Sequence, residues 1–247
     1  KVVAIIPVHI FGHPVDMDPL LEVCKKNNIF MIEDATESLG SEYKGRKTGG
    51  LAEIGCFSFN GNKIVTTGGG GMIVTNNGIL ADRLRHLSTQ AKKDPFEYYH
   101  DEIGYNYRLT NVLAAIGVAQ MEQLDGFLDS KRRNLARYRE LLAGCPDIEL
   151  LGEEHWAKSN FWFYTIKVAP EHKNSLMKYL LAQGIQARPI WQLMHTLPMY
   201  KDCQVIGFAN ASKAHEQCIN LPCGAGLKDE DIMYTTQHIK EYFKNNH

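Results

Sequence analysis

The sequence predicts an α/β fold, and three observations support this class. Residues 2–8 and 29–32 are apolar, β-branched runs of the kind found in parallel strands that are covered on both faces. The segment between them carries apolar residues at helical spacing, which predicts a β-α-β unit. After Pro146 a strand, a helix and a second strand follow again, so we expect two α/β parts joined by a helical segment.

In the first β-α-β unit, Asp18 is the predicted helix N-cap, and the proline after it suits the first helical turn. Leu20, Leu21 and Cys24 form an apolar stripe, and the helix is expected to end near Asn27. The strand that follows is expected to end with its last two residues acidic, at positions 33 and 34.

The other predicted elements, in chain order, are strands at 55–59 and 71–75, a turn at 76–78, helical segments at 110–124 and 129–142, a strand at 161–168, a helix at 174–183, a short strand at 185–188 and a last helix through 232–243. We therefore expect a large domain at 1–125, a connecting helix at 126–146 and a smaller C-terminal α/β domain at 147–247.

The composition excludes several classes of protein. Lysine and arginine number 27 against 28 acidic residues, a formal net charge of −1, so a charge-driven nucleic-acid binder is not predicted. Hydrophobic residues make up 44%, which is typical of a globular chain rather than a disordered one. No run approaches the roughly 18 apolar residues of a membrane helix, and the N-terminus lacks a signal-peptide pattern. We expect a cytoplasmic protein with no membrane or metal site.

The six cysteines form no CxxC pair, and we expect them to be reduced thiols. They are Cys24, Cys56, Cys145, Cys203, Cys218 and Cys223.

The candidate chemistry lies in three residues. Asp34 ends a predicted buried strand, at the edge where α/β sheets bind ligands. Lys63 lies 29 residues later, just beyond the next predicted strand, and Ser58 precedes it across one turn. A carboxylate and a lysine that converge on one crevice suit pyridoxal 5'-phosphate, since the acid protonates the pyridine nitrogen and the lysine condenses with the aldehyde. The freed lysine is then placed for proton transfer, and transamination follows from these roles.

Each residue also has an ordinary structural interpretation. Taken singly, an aspartate at a strand end is more often a helix cap or a loop hydrogen-bonder, and a lysine near glycines is more often exposed to solvent. The glycines at 68–71 form no GxxxxGK[ST] motif and precede a strand, so we interpret them as a tight turn rather than a phosphate loop.

A series of longer motifs recurs in order along nearly the whole chain and gives a family resemblance. They are Pro7-Val8-His9 with Gly12, Asp16-Met17-Asp18, Ile32-Glu33-Asp34-Ala35, Tyr43-Lys44-Gly45-Arg46, Phe57-Ser58-Phe59 before Lys63, Thr66-Thr67-Gly68 with Gly70-Gly71-Met72, and Gly104-Tyr105-Asn106-Tyr107-Arg108. With these motifs the chain resembles the DegT-type sugar-nucleotide aminotransferases. It looks most like the perosamine-type 4-amino-sugar transaminases, on Gly61-Asn62-Lys63, His100-Asp101, Tyr105-Asn106-Tyr107-Arg108-Leu109-Thr110-Asn111, and Arg188-Pro189 with His195-Thr196-Leu197-Pro198-Met199-Tyr200.

The resemblance implies a PLP-dependent transferase fold of the aspartate aminotransferase type, with a partial large domain, a mostly parallel sheet and a smaller C-terminal domain. It implies a homodimer that moves an amino group from glutamate to the 4-keto carbon of a nucleotide-linked 6-deoxy sugar. Asp34 then matches the pyridinium partner and Lys63 the cofactor-bearing lysine. Glu37 matches the residue beside the ring hydroxyl, and Ser58 a phosphate ligand.

Three further residues take a role from the resemblance. Asn106 matches a phosphate ligand that reaches the other subunit's cofactor. Arg188 and His195 are weaker candidates for the sugar-nucleotide pocket, and for His195 packing within a loop is an equal alternative.

Two departures from the family pattern stand out. Gly69 replaces a glutamate that members usually carry. Members also carry about a hundred or more residues before the segment equivalent to Lys1, so we expect a truncated or partial chain with exposed apolar faces. Two alternatives remain at this point: a sugar dehydratase of the same fold, whose relatives replace the lysine with histidine, and a cofactor-free remnant that acts as a binding module.

Overall fold

The computed structural model describes residues 2–94 and 96–246. These residues divide into two compact units. The first comprises Lys1–Leu128 together with Glu153–Trp162, and the second comprises Asp129–Gly152 together with Phe163–His247. The predicted α/β class is confirmed. The predicted domain limits remain a prediction, and they do not include the return of residues 153–162 to the first unit.

Strands and helices are numbered along the whole chain. The strands of the first unit are β1 (Ala4–Ile5), β2 (Phe30–Asp34), β3 (Glu42–Tyr43), β4 (Arg46–Lys47), β5 (Ile54–Ser58), β6 (Gly71–Val74), β7 (Lys92–Asp94), β8 (Tyr99–His100) and β10 (Ala157–Lys158). Its helices are α1 (Met17–Asn27), α2 (Gly78–Ser88) and α3 (Asn111–Met121), with a 3-10 turn at Ile10–Gly12. Helix α4 (Leu124–Leu142) begins in the first unit and continues in the second.

The main sheet of the first unit has the order β1-β2-β5-β6. Strands β1, β2 and β5 are parallel, and β6 pairs antiparallel with β5. The predicted β-α-β unit is thus confirmed, since α1 connects the parallel strands β1 and β2. Because β2 is central, the residues at its carboxyl end lie at the ligand-binding edge of the sheet.

Helix α1 begins two residues earlier than predicted. Its N-cap is Asp16, not Asp18, because the chain already has helical geometry at residue 17. Asp18 lies in the first turn, where its charge suits the helix dipole, and pairs with Lys44 and Arg46. The helix ends at Asn27, as predicted, and its C-cap Asn28 has the left-handed backbone conformation that is common after a helix.

Strand β1 is shorter and more exposed than predicted. The apolar run at 2–8 forms a two-residue strand at the edge of the sheet, paired with β2. Val2, Val3 and Ile6 are 65%, 69% and 58% exposed. The prediction of a strand covered on both faces is therefore wrong for this run, because an edge strand gains neighbours on one side only within the described chain.

The second unit is built around an antiparallel sheet. Its strands are β9 (Glu149–Leu150), β11 (Tyr164–Lys167), β12 (Arg188–Pro189) and β13 (Cys218–Leu221), in the order β12-β13-β11-β9. Its helices, besides most of α4, are α5 (Pro170–Ala182), α6 (Ala209–Gln217) and α7 (Asp229–Lys244), with 3-10 turns at Met194–Thr196 and Pro198–Tyr200. The predicted strand, helix and last helix of this part are confirmed, and the predicted strand at 185–188 begins only at Arg188.

Each unit has its own buried side chains. In the first, Met17, Cys24, Met31 and Tyr43 form a cluster between α1 and the sheet. In the second, the largest fully buried side chains are Tyr138, Tyr164, Ile166, Leu176, Leu180, Ile219, Leu221, Ile232 and Ile239. Across residues 2–94 and 96–246, none of the helices combines the length and the apolar character that a membrane crossing requires.

Candidate active site

Asp34 is fixed at the carboxyl end of β2. Its backbone N–H donates to the carbonyl of Pro7 at 2.9 Å, and its carbonyl accepts from the N–H of His9 at 3.1 Å. Its side-chain Oδ1 accepts from the backbone N–H and the hydroxyl of Thr36, at 3.1 and 2.7 Å. The carboxylate is therefore oriented by the turn that follows the strand.

Lys63 follows β5 after a short turn, in which its N–H donates to the carbonyl of Asn60 at 3.0 Å. Its Nζ lies 3.9 Å from Oε1 of Glu37, and the two side chains are 13% and 11% exposed. Burial lowers the pKa of Lys63, while the carboxylates of Glu37 and Asp34 oppose this shift. Both acids thus act on the same amine, which is the convergence that the sequence predicts for Asp34 and Lys63.

Glu37 is held on two sides. Its Oε2 accepts from the N–H of Phe11 at 2.7 Å, and its backbone carbonyl accepts from Nδ2 of Asn160 at 2.9 Å. Phe11 has a φ of 56°, a left-handed conformation that is uncommon for a bulky residue. The turn at 10–12 is thereby tied to the carboxylate that faces Lys63.

A small pocket brings several of these residues together. It is lined by Thr36, Glu37, Leu39, Ser58, Lys63, Ile64, Val65, Asn160 and Trp162. Glu37, Ser58 and Lys63, all predicted from the sequence, therefore share its walls. Ser58 is the last residue of β5, and its hydroxyl accepts from the N–H of Asn60 at 3.3 Å.

Asp34 and the three remaining candidate residues do not belong to this lining. Asn106 is exposed and forms an isolated antiparallel bridge with Thr89. Arg188 is exposed at the start of β12, in the second unit. His195, also in the second unit, is half-buried, and its ring centroid lies 4.7 Å from that of Phe208. The roles of all three remain predictions.

The pocket residues, together with Asp34 at the neighbouring strand end, fit pyridoxal 5'-phosphate. The cofactor needs a primary amine for its aldehyde, a carboxylate for its ring nitrogen and hydrogen-bond donors for its phosphate. Lys63 provides the amine, Asp34 and Glu37 provide two carboxylates that act on it, and Ser58 provides a hydroxyl on the same pocket wall.

A buried hydrogen bond between His9 and Glu33, the residue before Asp34, is absent from the sequence predictions. Glu33 and His9 are both fully buried, with His9 Nε2 2.8 Å from Glu33 Oε1. Because His9 Nδ1 accepts from the N–H of Val15, Nε2 carries the proton and donates to Glu33. The N–H groups of Gly49 and Leu51 also donate to this carboxylate. The sequence does contain a sign of this pair: Glu33 occupies an inward-facing position of an apolar strand, and a buried carboxylate requires hydrogen-bond partners in the interior.

Comparison with known proteins gives the same picture as the site. Residues 1–240 match the DegT/DnrJ/EryC1/StrS aminotransferase family. The chain is 38% identical over 246 residues to a GDP-perosamine synthase from Escherichia coli O157:H7, covering 99% of this chain and 67% of that protein. It is 39% identical over 238 residues to a GDP-perosamine synthase from Caulobacter vibrioides, covering 93% and 63%.

A solved structure confirms the predicted fold. The PLP form of the putative sugar aminotransferase Spr1654 from Streptococcus pneumoniae superimposes with a TM-score of 0.87 at 25% identity, and the match covers 98% of this chain and 69% of that one. The chain thus spans about two thirds of the lengths of the proteins that it resembles.

Proposed function

The chain belongs to the DegT/DnrJ/EryC1/StrS aminotransferase family, and on that premise we propose that it transfers an amino group from glutamate to the 4-keto carbon of a nucleotide-linked 6-deoxy sugar. Members of this family depend on pyridoxal 5'-phosphate, and the two GDP-perosamine synthases support a 4-amino sugar as the product. Because the chain spans 67% and 63% of these two proteins, their activity comes to it as a proposal.

One observation carries this proposal within the chain. The amine of Lys63 lies 3.9 Å from the Glu37 carboxylate in a small pocket, and Asp34 at the sheet edge acts on the same amine. A lysine that lies beside one acid and within the electrostatic influence of a second, at the carboxyl ends of parallel strands, suits a transaminase.

The proposed roles follow from these contacts. When bound, pyridoxal phosphate supplies an electron sink for the bonds at the substrate amine carbon. Lys63 holds the cofactor and, once released, moves a proton at Nζ. Burial lowers the pKa of Lys63, which brings its neutral form closer to the working pH. We propose that Asp34 holds the proton on the ring nitrogen of the cofactor, that Glu37 lies beside the ring hydroxyl and that Ser58 binds the phosphate.

Several finer assignments belong to the same proposal. We assign Asn106 to the phosphate at a homodimer interface, and Arg188 and His195 to the sugar nucleotide. The division into a large domain, a connecting helix and a small domain is proposed with them.

The six cysteines are free thiols, which fits the proposed cytoplasmic location. Light scattering of the purified protein tests the dimer, since a monomer at all concentrations would contradict it.

The direct test is cofactor capture by Lys63. The protein is mixed with pyridoxal phosphate, reduced with borohydride and analysed by peptide mass spectrometry. We expect the mass increase on the Lys63 peptide of the wild type, and its complete loss in Lys63→Ala. Lys63→Arg is the matched control, because it keeps the positive charge but lacks a primary amine. Capture that persists in Lys63→Ala at another lysine would contradict the assignment.

Product analysis then separates the reaction classes. With glutamate and a nucleotide-linked 4-keto sugar, we expect one 2-oxoglutarate for each amino sugar. A deoxygenated product would instead favour the dehydratase alternative, which Lys63 itself disfavours. Failure of the wild type to bind the cofactor at all would favour the binding-module alternative.

A further inference from the structure

We propose that Trp162 is a positioning residue for Lys63. Its indole ring holds the free amine of Lys63 at one side of the pocket. This inference rests on the proposed function, because it concerns how the cofactor-bearing lysine is held before and after it carries the cofactor. It adds a residue that lies about a hundred positions away in the chain, in the segment that returns to the first unit.

The contact between the two side chains is close. Nζ of Lys63 lies 3.7 Å from the centre of the Trp162 ring, with Glu37 Oε1 3.9 Å away. Trp162 is 3% exposed, so the ring forms a dry wall. An indole face attracts an ammonium group, yet it neither donates nor accepts the proton. The ring therefore restrains the amine without competing as an acid or a base.

The ring is itself held in place at two points. Its Nε1 donates to the carbonyl of Asn62 at 2.8 Å, which ties the indole to the peptide directly before Lys63. Its backbone N–H donates to Oδ1 of Asn160 at 2.9 Å. The indole therefore moves together with the turn that carries the lysine.

Asn160 connects this wall to the carboxylate side of the pocket. Its Nδ2 donates to the backbone carbonyls of Glu37 and Leu39, at 2.9 and 3.0 Å, and its own N–H donates to Oγ of Ser41 at 2.9 Å. One buried amide thus sets the positions of Glu37 and Trp162 together. The amine of Lys63 lies between these two groups, so its position is determined from both sides.

A reactive amine in a fixed position captures an aldehyde faster than a mobile one, because less orientational entropy is lost. We expect Trp162→Leu to slow the capture of pyridoxal phosphate by Lys63 about tenfold, because the neutral amine that attacks the aldehyde is no longer held in one position. Trp162→Phe keeps an aromatic face and is expected to stay within about threefold of the wild type. Capture is followed by borohydride reduction and mass spectrometry of the Lys63 peptide.

Two controls separate positioning from general damage. The first is binding of 4'-deoxypyridoxine 5'-phosphate, which has no aldehyde and cannot condense with an amine; its affinity is expected to be unchanged in Trp162→Leu. The second is Trp156→Leu, which removes another indole from the same returning segment, where it packs against the buried cluster of Met17, Cys24, Met31 and Tyr43. It is expected to capture the cofactor at the wild-type rate.

The outcomes are distinct. Equal capture rates in Trp162→Leu and wild type, or an equal loss of both probes, would overturn the positioning role. If the wild type captures no pyridoxal phosphate, the proposed function fails, and the positioning role is decided by acetic anhydride labelling of the cofactor-free protein. There we expect Trp162→Leu to label Lys63 several times faster than wild type, since the covering wall is gone, and an unchanged rate would overturn the role.

Discussion

The first and second units each contain a buried lysine beside an aromatic ring, and the two differ in what their amines face. Lys63 lies 3.7 Å from the ring of Trp162, and Lys131 in α4 lies 4.6 Å from the ring of Tyr164. Burial lowers the pKa of both. Lys131, however, donates to the backbone carbonyl of Cys223, whereas Lys63 faces the carboxylate of Glu37 at 3.9 Å, beyond hydrogen-bond length.

We propose that this difference distinguishes a structural lysine, Lys131, from a catalytic one, Lys63. A carbonyl within hydrogen-bond reach fixes the amine and satisfies it, so Lys131 serves to join α4 to the chain after β13. The Glu37 carboxylate lies beyond hydrogen-bond length from Nζ of Lys63, so it does not satisfy that amine in the same way. Burial and an aromatic neighbour are therefore not enough to identify a catalytic lysine, and the acceptor has to be examined as well.

The first unit depends on the buried carboxylate of Glu33 for its stability. Although burial by itself would raise the pKa of Glu33, the hydrogen bonds from His9, Gly49 and Leu51 together lower it. Glu33→Ala leaves these donors unpaired in the interior, so we expect the free energy of unfolding to fall by about 3–5 kcal/mol. Urea unfolding followed by circular dichroism measures this loss.

The matched control lies in the second unit. Asp229 pairs with Arg137 at the surface, and Asp229→Ala is expected to lower the free energy of unfolding by no more than about 1 kcal/mol. Equal losses in Glu33→Ala and Asp229→Ala would show that the buried network does not support the first unit.

In the second unit, the buried amine of Lys131 is expected to make the free energy of unfolding depend on pH. Burial lowers the pKa of Lys131 from 10.5 to about 8, so between these values the unfolded chain binds more protons than the folded one. Stability relative to Lys131→Met should therefore rise with pH, by about 2 kcal/mol from pH 7.5 to 9.5. Urea unfolding of both proteins at each pH measures it, and a flat difference would contradict a buried, titrating amine.

The smallest expected effect concerns the backbone beside Lys63. Lys131 lies within a helix, whereas Lys63 is followed by the glycines at 68–71. At Gly69 φ is not positive, and an added Cβ would meet nothing within 4 Å. Gly69→Ala is therefore expected to raise the free energy of unfolding by about 0.4–1 kcal/mol, because it restricts the unfolded chain.

Gly68 provides the control for this prediction. Its φ of +82° is strained for any residue with a Cβ, so Gly68→Ala is expected to lower the free energy of unfolding by about 1 kcal/mol. Thermal unfolding of both variants gives the two signs. Destabilisation by Gly69→Ala would show that this loop needs the freedom of glycine.

The sequence predicts the parts of this molecule that depend on local pattern. The alternating and continuous apolar runs give β2, β5 and β6, and strand-end position gives Asp34. The approach of Lys63 to Asp34 is also predicted, since the ends of neighbouring strands meet at one sheet edge, whereas Glu37 is named only from the family resemblance. The exposure of β1 is not predicted from the sequence, because the burial of a strand depends on the elements beside it as well as on its own residues.

The supporting residues escape prediction because their partners are distant in the chain. Glu33 and His9 are 24 positions apart, and Trp162 and Asn62 are 100 apart. No periodicity connects such pairs, and a buried polar residue shows only that a partner must exist. The roles of Asn106, Arg188 and His195 rest on resemblance and stay predictions.

The discontinuous makeup of the first unit affects how the protein is divided or recombined. A fragment cut after residue 128 would lack Asn160 and Trp162, and with them the wall above the reactive amine. Chimaeras that exchange the second unit between related enzymes must therefore keep residues 153–162 with the host, which requires three crossover points in the gene instead of one.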